Sequence, residues 1–281
     1  MSTNEQIIKD KIKAEFISYL TAHEYTINQD ASYEDAVICF YNYKEKRIPI
    51  KKYEVLFSRE LTSKLTGLDD EKTSTLNLFK CNFENGIDMN CHLSKYIFGS
   101  QFDYLLNYWS IKHLHLNSNV ANSKSEMTNN RSDTYLLVLV DEFESKVYFL
   151  DVIPHLSGDE FADINFLWIL FNNNWIEHAG FAKIENCVSI SYQITSKEDL
   201  MSLWKSHINY AAFEFNGAFY FNYRKGTTMF GNSMNSQEYL INANRCIDSL
   251  LARCGSDTIK NIKVDILEDK GIPTYGIQIE W

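Results

Sequence analysis

Among the side chains able to move protons or hold a phosphate near neutral pH, four stand out by their placement: His113, His115, Arg131 and His155. The chain of 281 residues has 7 histidines, so two of them separated by a single residue is a local concentration. The run Ile111–Leu116 has the pattern of a strand. Strand side chains alternate faces, so both imidazoles leave the same side, about 6–7 Å apart at the backbone. Leu114 and Leu116 then point the other way, into the core. Arg131 follows a polar Asn/Ser-rich loop over 117–130. His155 stands just past an apolar strand, a place where ligand and catalytic groups often emerge.

Three chemistries fit these residue types. In the first, the imidazoles act as general acid and base in cleaving an RNA phosphodiester, while Arg131 stabilises charge on the phosphate. Imidazole suits both proton transfers because its ordinary pKa lies near neutrality. In the second, His113, His115 and His155 bind zinc and leave a fourth position open, with Asp151 or Asp159 orienting a ligand or completing the set. In the third, the four are partly buried polar residues that brace a sheet. The H-x-H pair alone does not choose among them.

A second basic group, Lys44, Lys46, Arg47, Lys51 and Lys52, lies within one short segment beside Tyr41, Tyr43 and Tyr53. It has the makings of a substrate-binding surface, with cations on phosphates and tyrosines stacked on bases. The alternative is a charged, solvated strand edge that discourages sheet-to-sheet pairing. No G-x-S-x-G elbow, H-E-x-x-H, G-x-G-x-x-G or kinase signature occurs.

The elements that must position these residues follow from periodicity. Ile8, Ile12, Phe16 and Leu20 repeat every four residues and predict an amphipathic helix over 4–23. Ala36–Tyr43 and Tyr53–Phe57 have the pattern of strands, and Ser58 can cap a short helix through Leu65. Phe102, Leu105, Leu106 and Trp109 mark another helix. Thr134–Val140 and Lys146–Ile153 predict two strands joined as a hairpin through Asp141–Ser145. Leu136–Val140 is apolar on both faces, which predicts a central strand covered from both sides. Phe161, Ile164, Trp168, Phe171 and Trp175 form a stripe for a covering helix capped by Asp159. Further on, Val188–Gln193 predicts a strand and Lys197–His207 a helix. Asn216-Gly217 joins two strands, Ala211–Phe215 and Phe219–Tyr223. Ser236–Cys254 predicts a helix, before closing strands at Ile262–Leu267 and Tyr275–Trp281. The expected fold is α+β, a central antiparallel sheet covered by helices, with a second, smaller α+β unit at the C-terminus. The expected division is 1–100, an N-terminal region packed on the core, then 101–183, the core with the candidate site, then 184–281.

Composition narrows the function. A formal net charge of -10 argues against broad, nonspecific nucleic-acid binding, which needs clustered cations. It leaves room for one local basic grip. No stretch reaches the roughly 18 apolar residues of a membrane span. Met1–Asp10 lacks the basic-then-apolar order of a signal peptide. Cys39, Cys81, Cys91, Cys187, Cys246 and Cys254 include no C-x-x-C pair and are expected to be reduced, small buried hydrophobes in a cytoplasmic protein.

The run 105–116, Leu-Leu-Asn-Tyr-Trp-Ser-Ile-Lys-His-Leu-His-Leu, then Arg131, then 148–155, Tyr-Phe-Leu-Asp-Val-Ile-Pro-His, resembles a family of uncharacterised bacterial and phage-associated proteins. Arg47-Ile-Pro and 86–94 match its style, so the likeness spans about 40–178 and brings no activity with it. The order of elements at the centre also loosely resembles the RelE/ParE class of bacterial toxins, in which RNA cleavage is known. That likeness implies roles for Arg131 ahead of the central strand and His155 closing the last one. It departs in size and charge, because those toxins are small and basic. Together these features lead to the expectation of a toxin-like or phage-defence endoribonuclease, with RNA as substrate and no cofactor. The alternatives are a noncatalytic protein-interaction module of a bacterial immunity or toxin–antitoxin system, with a protein partner or a second copy, and a zinc-dependent hydrolase.

Overall fold

The computed structural model describes residues 3–120, 123–129, 132–156, 158–161, 163–189, 194, 196–206, 208, 212–223, 226, 233–254 and 259–280. The fold is α+β. In chain order its elements are α1 (Thr3–Ala22), α2 (Tyr33–Lys46), β1 (Glu54–Phe57), α3 (Arg59–Lys64), α4 (Asp70–Asn85), α5 (Tyr104–Trp109), β2 (Ile111–His115), α6 (Lys124–Asn129), β3 (Thr134–Asp141), β4 (Lys146–Pro154), α7 (Asn165–Asn172), β5 (Phe181–Lys183), α8 (Lys197–Lys205), β6 (Phe213–Phe215), β7 (Ala218–Asn222), α9 (Met234–Cys254), β8 (Asn261–Asp269) and β9 (Ile272–Glu280). No described helix is long and apolar enough to cross a membrane.

Side-chain caps start several helices. Ser58 accepts from Leu61 N, Asp69 from Lys72 N and Asp103 from Leu106 N, each satisfying a first-turn donor that has no helical partner. A cap also explains why Ala36–Tyr43 is helical rather than extended. Ser32 accepts from Asp35 N and donates to the Asp35 carboxylate, which fixes the start of α2. Ala36, Val37, Phe40 and Tyr43 then fall on one buried face. A short apolar run rich in aromatics fits either period, and here the cap decides.

At the end of α4, Gly86 takes a left-handed φ of 72°. A Cβ there would lie 3.1 Å from the Lys51 carbonyl carbon and 3.2 Å from Lys52 N. Gly86→Ala is therefore expected to cost about 1–3 kcal/mol, from αL strain plus displaced backbone. A urea melt of the variant checks this.

Contacts divide the chain into two compact units, each built from distant segments. The larger comprises Ile50–Ser94 and Phe102–Met234, and the smaller Met1–Pro49, Lys95–Gln101 and Asn235–Trp281. The boundaries expected at 100/101 and 183/184 do not coincide with these. Nor do the C-terminal elements form a unit of their own: α8 and β5–β7 belong to the larger unit, and α9, β8 and β9 join α1 and α2.

In the larger unit the main sheet has the order β1-β4-β3-β2. The β2–β3 and β3–β4 pairs are antiparallel, but β1 runs parallel to β4, so the sheet is mixed rather than purely antiparallel. A parallel partner needs a long crossover, and here that crossover carries α3 to α6, β2 and β3. Thr134–Leu139 is buried throughout, as a strand covered on both faces must be. On one face Leu137, Leu139, Tyr148 and Leu150 pack with Phe166, Leu167 and Leu170 of α7. On the other, Phe149 meets Phe57 and Phe83 at ring separations of 5.2 and 5.8 Å. The helix α7 is shorter than its aromatic stripe. Phe161, Ile164, Trp168, Phe171 and Trp175 are only partly buried against this core, and α7's N-cap is Ile164, without a side-chain cap. A small sheet of order β5-β7-β6 completes the unit. Its β6–β7 turn puts Asn216 and Gly217 at φ 49° and 76°, as that dipeptide predicts. The strand expected at Val188–Gln193 falls on residues of which 188 and 189 are not part of a strand and the rest lie outside the described set.

In the smaller unit the α1 stripe is buried as its spacing requires: Ile8, Ile12, Phe16 and Leu20 are all 0–1% exposed. Phe16 stacks on Phe40 at 4.0 Å. Ala243 and Ile247 of α9 and Val264 of β8 join the same core. The described cysteines are not the small buried hydrophobes expected. Cys81 and Cys246 are exposed, and Cys39, Cys91 and Cys187 are intermediate.

One buried histidine couples the larger unit to pH. His92 is 3% exposed, its ring lies 4.4 Å from that of Phe79, and its Nδ1 has no hydrogen-bond partner. Burial pushes its pKa down to about 4, against the opposing pull of Asp88. The unfolded chain binds this proton below about 6.5 and the folded chain only near 4. The stability due to keeping it neutral is complete above pH 6.5 and is lost as pH falls towards 4, up to about 3 kcal/mol. His92→Leu is expected to flatten that part of the profile, measured by urea midpoints at pH 7 and pH 4.5.

Candidate active site

Sheet register gathers three of the four chemistry-bearing residues around a fourth side chain, Tyr135. His113 pairs with Leu137 and His115 with Tyr135, while Tyr135 in turn pairs with Ile153. The imidazoles of His113 and His115 each lie 4.9 Å, edge on, from the Tyr135 ring, so the two histidines share a face. His155 follows β4, where its backbone N–H donates to Asp133 O at 2.7 Å. Its ring lies 4.6 Å from Tyr135 and 6.0 Å from His115. The Tyr135 hydroxyl and His155 Nε2 are 2.6 Å apart, a short hydrogen bond. Tyr135 is thus the hub of a His–Tyr–His–His cluster.

A shift in the β3–β4 ladder puts it there. Counting back from the Asp141–Lys146 pair, Tyr135 would face Val152. The ladder slips by one residue at Leu137/Val138, so Tyr135 faces Ile153 and reaches His155. Sequence patterning locates the hairpin but does not reveal that slip, and Tyr135 reads as one more apolar residue at a strand start.

The three imidazoles have different surroundings. His155 is exposed. His115 is 5% exposed, and its Nδ1 accepts from Ser132 N at 3.3 Å, which puts the proton of the neutral ring on Nε2. His113 packs 5.6 Å from Phe161, and its Nδ1 is buried without a hydrogen bond. Burial lowers its pKa, Asp103 opposes that through an Oδ2 only 3.9 Å from Nδ1, and His155 adds to it. His113 is therefore a neutral ring behind Tyr135, while His155 meets solvent. The arrangement can accept, hold and return a proton at one exposed imidazole.

Arg131 lies outside the described residues. The other basic candidates do not form one surface. Lys44 and Lys46 are in the last turn of α2, not on an extended strand. Lys46 is 7% exposed and donates to the carbonyls of Tyr96, Gly99 and Gln101 at 3.0, 2.7 and 2.8 Å. Arg47 donates to Gly271 O and to the Tyr43 hydroxyl, and Lys44 sits over the Tyr41 and Tyr239 rings. Lys51 donates to Glu142 O and Ser145 Oγ, and Lys52 is exposed. Lys44, Lys46 and Arg47 belong to the smaller unit and Lys51 and Lys52 to the larger.

The zinc alternative fares differently from its sequence promise. Among the described residues, the one group of three His, Cys, Asp or Glu with ligand atoms within 4.8 Å of one another is Asp141, Glu144 and His178. His113, His115 and His155 do not meet that condition. Asp151 is committed elsewhere, its two oxygens 2.8 and 2.7 Å from Lys64 Nζ. The Asp159 side chain lies outside the described set.

None of the known protein families, curated proteins or solved structures compared with this chain matches it.

Proposed function

We propose that His155, Tyr135 and His115 form an acid–base site for metal-free cleavage of RNA, making the chain an endoribonuclease of the toxin-like or phage-defence kind. The observation that carries this reading is the 2.6 Å bond between an exposed imidazole and a buried tyrosine hydroxyl, with a second imidazole beside them. When Nε2–H of His155 is donated to Tyr135, Nδ1 is the basic nitrogen facing solvent. It takes the proton of a ribose 2′-hydroxyl. That oxygen bonds to the adjacent phosphorus, and the bond from phosphorus to the 5′-oxygen breaks. The His155 imidazolium returns the proton to the departing oxygen, so one group serves as base and then acid. His115, 5% exposed, packs against the Tyr135 ring and 6.0 Å from the His155 ring, which helps hold both in place. Tyr135 fixes the tautomer, and His113 packs behind it.

A chimeric oligoribonucleotide tests the chemistry. A single deoxynucleotide placed 5′ to the scissile phosphate is expected to block cleavage at that position alone. Cleavage there at the undiminished rate would contradict a 2′-hydroxyl mechanism.

One observation favours a second reading, a noncatalytic protein-interaction module. Lys46, Arg47 and Lys51 are already bonded within the fold, which leaves little of the expected phosphate-binding segment free. A stoichiometric protein partner, with no turnover of RNA, is the result that would support it.

A further inference from the structure

Within the smaller unit, α9 and β9 flank an open groove of about 730 Å³. One wall is the helix face carrying Arg245, Cys246, Leu250 and Arg253, and Tyr275 and Ile277 of β9 contribute the floor. This is not the core face of α9, which carries Leu240, Ala243 and Ile247. Both arginines are exposed, and neither is in an ion pair with a described residue. They stand out in a chain of net charge -10. Among the described residues β9 pairs only with β8, so its other edge offers main-chain donors and acceptors.

We infer that this groove binds an extended acidic peptide segment, which adds as a strand to the free edge of β9 and places two carboxylates on Arg245 and Arg253. The spacing supports this. At 1.5 Å per residue the two arginines are about 12 Å apart along the helix axis. In an extended peptide, residues i and i+4 share a face and are about 13 Å apart. The residue between them on that face, i+2, falls over Leu250, Tyr275 and Ile277 and is apolar. Strand addition supplies affinity through the main chain, and the alternating side chains supply selectivity. A nucleic acid fits less well, because its phosphates recur at about half that spacing and the floor is apolar.

The test uses the full chain and a fluorescein-labelled heptapeptide, Thr-Glu-Thr-Val-Thr-Glu-Thr, read by anisotropy. Saturable binding is expected. It should weaken at least ten-fold in the Arg245→Glu, Arg253→Glu double variant, whose circular dichroism and melting temperature should be unchanged because both side chains are exposed. It should weaken as much when the peptide's central amides are N-methylated. Equal binding of a peptide with lysines in place of the glutamates would overturn the proposal. So would displacement by a short single-stranded RNA, or unchanged binding by the double variant. A dimer of the full chain that the double variant dissociates, with no peptide binding, would show that a second copy fills the groove instead.

Discussion

Alanine in place of His155 is expected to slow RNA cleavage by about 10²–10⁴-fold, the usual contribution of a positioned acid–base group. The fold should survive, because His155 is exposed and lies beyond β4. What is lost is the proton acceptor itself, and no other described imidazole replaces it. His115 turns Nδ1 to Ser132 N, and His113 is buried and held neutral. Tyr135→Phe removes the partner that fixes the tautomer and supports the imidazolium, worth about one charge-assisted hydrogen bond, so about a ten-fold loss is expected. Single-turnover rates with saturating protein separate this from weaker binding. The two variants should differ in rate while sharing a melting temperature close to that of the parent. Equal, complete loss in both, together with a lowered melting temperature, would mean that the cluster braces the sheet.

Lys46→Met is expected to destabilise the protein by about 3–5 kcal/mol. The ammonium is buried and satisfies three carbonyls, those of Tyr96, Gly99 and Gln101. Methionine fills much of the same volume but donates nothing, so three acceptors lose their donor at once. The segment Lys95–Gln101 belongs to the smaller unit, although both its neighbours in sequence belong to the larger. A second link, Thr26 N to Phe98 O at 2.7 Å, remains in the variant. Urea unfolding measures the loss, and amide exchange at 95–101 should rise before exchange elsewhere. A cost below about 1 kcal/mol would mean that water replaces the ammonium, and that the residue is the surface cation its sequence context suggested.

Lys46 also illustrates where sequence reasoning stops. Five cations in a short segment look like a phosphate-binding strip. A buried lysine and an exposed one are the same letter, and only the tertiary structure supplies three carbonyls. The α1 stripe, the β3–β4 hairpin and the Asn216-Gly217 turn were legible because each is a local pattern with one physical solution. Ala36–Tyr43 was misread because a run of eight residues fits both periods, and the decisive signal was a cap before it, Ser32 to Asp35. The parallel pairing of β1 with β4 has no local mark at all, and neither does the joining of α1 and α2 with α9, β8 and β9. At the site, strand alternation was enough to put His113 and His115 on one face. Tyr135 depended on a one-residue slip in the ladder, which no periodicity encodes.

The most direct measurement is cleavage of a single-stranded RNA by the purified chain in excess chelator, with the product ends identified by mass. The acid–base account predicts 2′,3′-cyclic phosphate ends in the presence of chelator, formed by the parent protein and reduced at least 10²-fold in His155→Ala. Cleavage that stops when chelator is added, or that continues unchanged in His155→Ala, would contradict it.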